Sequence, residues 1–133
     1  MLIAHKDIYC GLFESSIVRG NITESDIRTV ECFELEIFHL TGGVSHINGE
    51  TYPTEYGMFV CAKPGQIRYS NFPVKCSFIR IFKNEYTPDS LTQVLSTLPN
   101  CTYIKNKADV ENLLALLSNL ASLALKISPL ILF

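Results

Sequence analysis

Few residues in this chain could do chemistry, and their spacing narrows what that chemistry is. There are three histidines, His5, His39 and His46. A transition-metal centre needs two or three imidazoles, usually with a carboxylate, converging on one point with a position left open for substrate. Only His46 has an acid near it in sequence, Glu50, with Asn48 between. His39 is one residue out of step with Glu36 and Phe38, so on a strand it faces the other side. One histidine and one acid make no catalytic site. The five cysteines, Cys10, Cys32, Cys61, Cys76 and Cys101, lie far apart with no CxxC pair. Neither a zinc knuckle nor a redox pair is expected, and no motif around any of them suggests a nucleophile. They read as small, mostly buried apolar residues in a reducing cytoplasm. Arg68 is the remaining candidate. A guanidinium brings five donors and no acceptor, so inside a fold it wants an anion, a carboxylate or a hydroxyl-rich ligand. Its alternatives are an internal ion pair with Glu36 or Glu50, or an exposed turn.

Composition sets the wider limits. A chain of 133 residues with 47% hydrophobic and 18% charged residues makes one domain with a real core. Its 11 basic and 13 acidic side chains are scattered, giving a net charge of −2. A domain that grips nucleic acid by itself usually shows a basic face, so direct DNA contact by these residues is not expected. Residues 113–133 carry Lys126 as their only charge and must be weighed as a membrane span. Ser118, Asn119, Ser122 and Pro129 interrupt that segment, and its apolarity is striped rather than continuous. A helix facing a core or a partner is the expectation, with no membrane contact.

The elements follow from period and punctuation. Residues 1–27 hold short apolar pieces, Ile8–Leu12 and Ser16–Val18, expected as an arm and an edge strand. Residues 28–40 alternate and then run apolar, which predicts one long strand. Val44–Ile47, Glu50–Pro53, Met58–Cys61, Gln66–Ser70 and Lys75–Phe82 follow as short strands. Asn48-Gly49 supplies the two positive-φ positions of a tight hairpin. The period then changes. Asp89 or Ser90 can cap a helix that Pro99-Asn100 ends. Residues 101–105 read as a connector, and Lys107 to Lys126 as a second helix. Apolar residues at Val110, Leu113, Leu117, Leu120, Ala124 and Ile127 repeat every three or four positions, the seam of a coiled coil. That seam either pairs with a second chain or packs wholly on its own domain. The fold class expected is mainly β with C-terminal helices: a barrel with its arm over 1–87 and a helical segment of the same domain over 88–133.

The stretch from Gly43 to Cys76, GVSHINGETYPTEYGMFVCAKPGQIRYSNFPVKC, carries a resemblance. Glu50 and Gly57 keep the acid-then-glycine spacing of the first cupin motif. Gly57, Pro64, Gly65, Arg68 and Asn71 follow the second motif with one residue inserted. Arg68 stands where metal cupins place a histidine, and His46-Ile47-Asn48 where they place a pair. The wording ING, then AKPGQIRYS, then Pro-x-Lys-Cys is similar to the N-terminal sensor domain of AraC-type transcription regulators, over roughly residues 28–83.

The resemblance implies a cupin or jelly-roll β-barrel followed by two α-helices, a small-molecule effector inside the barrel, no metal or other cofactor, and a cytoplasmic homodimer that is not an enzyme. The expected ligand-contacting residues are Glu36, Phe38, Leu40, His46, Arg68, Ser70, Ser77 and Ile79. The expected dimerisation residues are Val110, Leu113, Leu117, Leu120 and Ala124. Leu40 and Ile79 are aliphatic where sugar-sensing members use a guanidinium and a large aromatic, so a smaller or partly apolar effector fits as well as a sugar. These residues contain no helix-turn-helix, and the apolar end, Pro129 to Phe133, looks like a cut through a longer chain. DNA binding is then implied for a parent protein. The alternative is a stand-alone small cupin enzyme.

Overall fold

The computed structural model describes residues 7–17 and 20–131, with side chains described as far as residue 119. Nine strands are present among them: β1 (Ile8–Glu14), β2 (Arg28–Thr29), β3 (Phe33–Phe38), β4 (Val44–Ile47), β5 (Glu50–Pro53), β6 (Met58–Ala62), β7 (Ile67–Asn71), β8 (Lys75–Ile81) and β9 (Cys101–Tyr103). Two helices follow the eighth strand, α1 (Asp89–Thr97) and α2 (Lys107–Ile131). The strands form two antiparallel sheets, ordered β1-β8-β3-β6-β9 and β2-β7-β4-β5. No strand pairing joins the two sheets among the described residues, so the expected barrel is not closed by backbone hydrogen bonds.

The sheets pack face to face. Phe38 of β3, Ile47 of β4, Met58, Val60 and Ala62 of β6, and Cys76 of β8 form one buried cluster drawn from both layers. The outer face of the five-stranded sheet is also covered. Phe33 and Cys61 pack there with Leu95 of α1, and Leu35, Phe59, Ile81 and Leu98 join them. α2 lies against β1, β8 and β3. β3 and β8 therefore have apolar residues on both faces, which removes the simple in–out alternation of a half-exposed strand.

Three expectations change. The predicted strand over 28–40 is two strands in different sheets. Val30 crosses between them, its N–H donating to the Gln66 carbonyl (2.7 Å) and its carbonyl accepting from Gly65 (2.8 Å). The connector after Pro99 contains β9, because β6 would otherwise present an open edge; Met58 lies opposite Tyr103 and Val60 opposite Cys101. α1 has Pro88 at its N-cap, with no side-chain cap, in place of Asp89 or Ser90. The hairpin turn is as its dipeptide requires, with φ of 49° at Asn48 and 79° at Gly49. β1 is an edge strand. His5 and Val18 lie outside the described residues.

Candidate ligand-binding site

Between the sheets, beside the apolar cluster, lies a cavity of about 360 Å³. Inner-face residues of β3, β7 and β8 supply most of its wall. Glu36 and Phe38, Arg68 and Ser70, and Cys76, Phe78 and Arg80 each follow the two-residue repeat of a strand. Arg28 of β2 and Phe13 of β1 complete the rim, with Phe72 and Val74 from the β7–β8 corner. Gly11 has a packing role here, since a Cβ on it would come within 2.7 Å of the Phe78 ring.

Arg68 is the centre of the polar wall, with only 3% of its side chain exposed. Its Nη1 donates to Glu34 Oε1 (3.0 Å), and its Nη2 donates to Glu36 Oε1 (2.9 Å) and Ser45 Oγ (3.2 Å). The strand register explains why Glu34 is needed. Arg28 lies directly opposite Arg68 in the β2–β7 pair, and Arg80 directly opposite Glu34 in the β3–β8 pair. Like charges facing each other across a ladder repel. Glu34 bridges them, accepting from both terminal nitrogens of Arg28 at 2.7 Å as well as from Arg68. Arg80 Nε stands 3.9 Å from Glu34 Oε2, and the guanidinium lies over the Phe78 ring at 4.9 Å.

The titration of these groups follows the arrangement. Burial pushes the Glu34 carboxyl up, but Arg28, Arg68 and Arg80 outweigh it and hold it below the usual carboxylate range. Burial works against the charge on Arg68, yet Glu36 and Glu34 outweigh it and raise its pKa further. Burial pushes the Cys76 thiol well up, so it stays protonated at neutral pH.

Four of the expected ligand-contacting residues line this cavity: Glu36, Phe38, Arg68 and Ser70. Four do not. Ser77 and Ile79 take the opposite face of β8 from Cys76, Phe78 and Arg80, and Ser77 Oγ is 2.8 Å from His39 Nε2 there. Leu40 lies beyond the end of β3 and is exposed. His46 alternates with the inward Ser45 and Ile47 and so takes the outer face of its sheet, stacked on Tyr69 at 4.1 Å and bonded to Asn71 Oδ1 at 2.5 Å. The ion-pair alternative for Arg68 is realised with Glu36, while Glu50 is exposed and accepts from the Tyr52 hydroxyl.

Glu34, Arg28 and Arg80 were not anticipated. The signal for Glu34 was present: Glu34 and Glu36 are two apart on one strand, which puts two carboxylates on the same face. Among the described residues, no group of three or more His, Cys, Asp or Glu side chains is placed to hold a metal ion. No helix among them is long and apolar enough to cross a membrane.

Of the expected seam, Val110 is buried inside its own chain; its Cγ2 lies 2.9 Å from where a Cβ on Gly57 would stand. It is therefore not free to meet a second molecule. Leu113 and Leu117 are half-buried, and the side chains of Leu120 and Ala124 lie outside the described residues. No family model matches this chain, and no curated protein matches it.

Proposed function

We propose that this chain is the effector-sensing and dimerisation module of an AraC-type transcription regulator, binding a small molecule between its two sheets. The observation that carries the reading is the buried charged cluster beside the cavity, of which Arg68 and Glu36 line it and Glu34 lies behind them. Burying Arg68, Glu34 and Glu36 costs several kcal/mol per ion in desolvation, and apolar residues of similar volume would give an equally stable or more stable core. Polar groups kept beside open volume of this size are what a binding site for a small ligand requires. The regulator part of the reading rests on the sequence resemblance around AKPGQIRYS. Two antiparallel sheets whose strands pair mostly out of chain order also suit a flattened jelly roll.

Binding is favoured over metal catalysis by where the imidazoles sit. His39 and His46 take the outer sides of opposite sheets, and neither lines the cavity. The mechanism proposed is a shift of population. Ligand between the sheets stabilises one arrangement of β1 and α2, and so sets the spacing of two DNA-binding units carried elsewhere in a dimeric parent. β1 supplies Phe13 to the cavity and is covered by α2, so the two are mechanically linked.

A fusion experiment tests this. Joined to a DNA-binding domain that represses only as a dimer, the chain should confer repression of a reporter. Absence of repression from a folded fusion would sink the dimerisation half. Elemental analysis of the purified chain should give far less than one transition metal per molecule. Close to one iron, zinc or nickel would favour the cupin-enzyme alternative.

A further inference from the structure

The groups around the cavity do not balance in charge. Arg28, Arg68 and Arg80 stand against Glu34 and Glu36, three positive charges less two negative, a surplus of one. Arg28, Arg68, Arg80 and Glu36 line the cavity, whereas Glu34 is not part of its lining. The surplus belongs to one residue. Arg28 gives both terminal nitrogens to Glu34, and Arg68 is engaged by Glu34, Glu36 and Ser45. The Arg80 guanidinium makes no hydrogen bond to a described residue, only a long 3.9 Å ion pair with Glu34 through Nε, and 44% of its side chain is exposed, so its terminal nitrogens are left to meet a ligand at the cavity. Ser25 and Ser70 add hydroxyls to the lining, and most of the remainder is aromatic or aliphatic. Phe13, Phe38, Phe72 and Val74 face the same space, with the Phe13 and Phe72 rings 6.0 Å apart.

We infer that the cavity takes a small monoanionic amphiphile, a carboxylate carried on an aromatic or short aliphatic body. The carboxylate meets Arg80 at the mouth, and the body lies against Phe13, Phe38 and Phe72. A guanidinium pairs with a carboxylate through two parallel hydrogen bonds, and Arg80 has the terminal nitrogens for it. A single surplus charge matches a monoanion. A phosphomonoester or dicarboxylate would bring a second negative charge toward Glu36 with no cation left to meet it. A sugar would leave the phenyl wall largely unused, and an amine would face three guanidiniums. This inference rests on reading the cavity as a binding site, and it names the class of ligand that site accepts.

The test uses three probes with one body and three charges: 3-phenylpropanoate, 3-phenylpropanamide and 3-phenylpropylamine. Calorimetric titration of the purified chain should give at least tenfold tighter binding of the carboxylate than of the amide, and no binding of the amine. NMR shifts should fall on Phe13, Phe38 and Phe72. Arg80→Gln, whose fold is checked by circular dichroism, should bind carboxylate and amide about equally. The inference is overturned if the amide or amine binds as well as the carboxylate, if Arg80→Gln keeps the tenfold preference, or if the carboxylate does not bind at millimolar concentration. In each case a panel of neutral polyols and cationic fragments separates the two claims. Shifts at the same three phenylalanines would leave the binding-site reading standing without this ligand class, and their absence across every probe would remove both.

Discussion

Glu34 accepts hydrogen bonds from two guanidiniums and lies near a third, so removing any partner changes more than one contact. Arg68→Ala should cost about 3–5 kcal/mol, because Glu36 would be left buried without a cation and Glu34 would keep only Arg28 and the more distant Arg80. The triple variant Arg68→Met, Glu34→Gln, Glu36→Gln should cost much less, since no unpaired ion remains at that position. Urea denaturation of both variants checks the comparison, and a small loss in Arg68→Ala would mean that water reaches the carboxylates. The same cluster predicts an acid limb. A carboxyl held below its unfolded value stabilises the fold wherever it is ionised in both states, and that contribution is lost as pH falls through the folded value. For Glu34 the loss begins below about pH 4.3, the ordinary glutamate value, and deepens with further acid. Glu34→Gln should start less stable at pH 7 and show a flatter curve over that range. Parallel curves for the two proteins would assign the acid limb to other groups.

β8 marks the boundary of what its sequence could reveal. Its existence and extent follow from a run of alternating large residues, but its facing does not. Cys76, Phe78 and Arg80 turn inward, while Ser77, Ile79 and Ile81 turn to the helices. Each set offers apolar residues, so polarity cannot choose between them, and a slip of one position exchanges the whole lining. β7 was legible because its outer face meets no helix; Arg68 and Ser70 then share the inner face by spacing alone. The break at Val30 was hidden for a different reason. Alternation continues through Val30 to Cys32 and then slips by one position at Phe33, a small phase shift whose meaning, a change of sheet, is given by the long-range bonds to Gly65 and Gln66. The turn before β6 was legible as a glycine, though its role was not. Gly57 has φ of +89°, and a Cβ there would lie 2.8 Å from the Ile104 carbonyl oxygen and 2.9 Å from Val110 Cγ2. Its N–H donates to Phe38 and its carbonyl accepts from Ile104, which ties β3 to the entry of α2. Gly57→Ala should therefore destabilise by about 2–4 kcal/mol, combining backbone strain with a clash that backbone cannot relieve. A shift in melting temperature of under 2 °C would show that α2 can move away from this turn at little cost.

Assembly turns on what α2 leaves uncovered. The expected seam began at Val110, but that residue is consumed by its own domain, which moves any intermolecular surface around the helix. Among the described residues of α2, the exposed apolar side chain is Leu116, 53% exposed, with the half-buried Leu113 one turn away and Ile104, Asp109 and Asn112 around them. A lone exposed leucine is ordinary on a protein surface, and an aligned pair at the start of a long helix is a smaller patch than a stable dimer needs. If α2 is the dimer contact, Leu116 lies inside it. Substituting Leu116 by Glu places a charge there while costing the isolated fold under about 0.5 kcal/mol, as expected at an exposed position without special geometry. Light scattering should then give a two-fold dimer for the wild-type chain and a folded monomer for Leu116→Glu, with equal far-ultraviolet dichroism. A wild-type chain that is monomeric at high micromolar concentration would confine α2 to its own domain. A variant that stays dimeric would move the contact elsewhere, with the exposed edges of β1 or β5 the next surfaces to test.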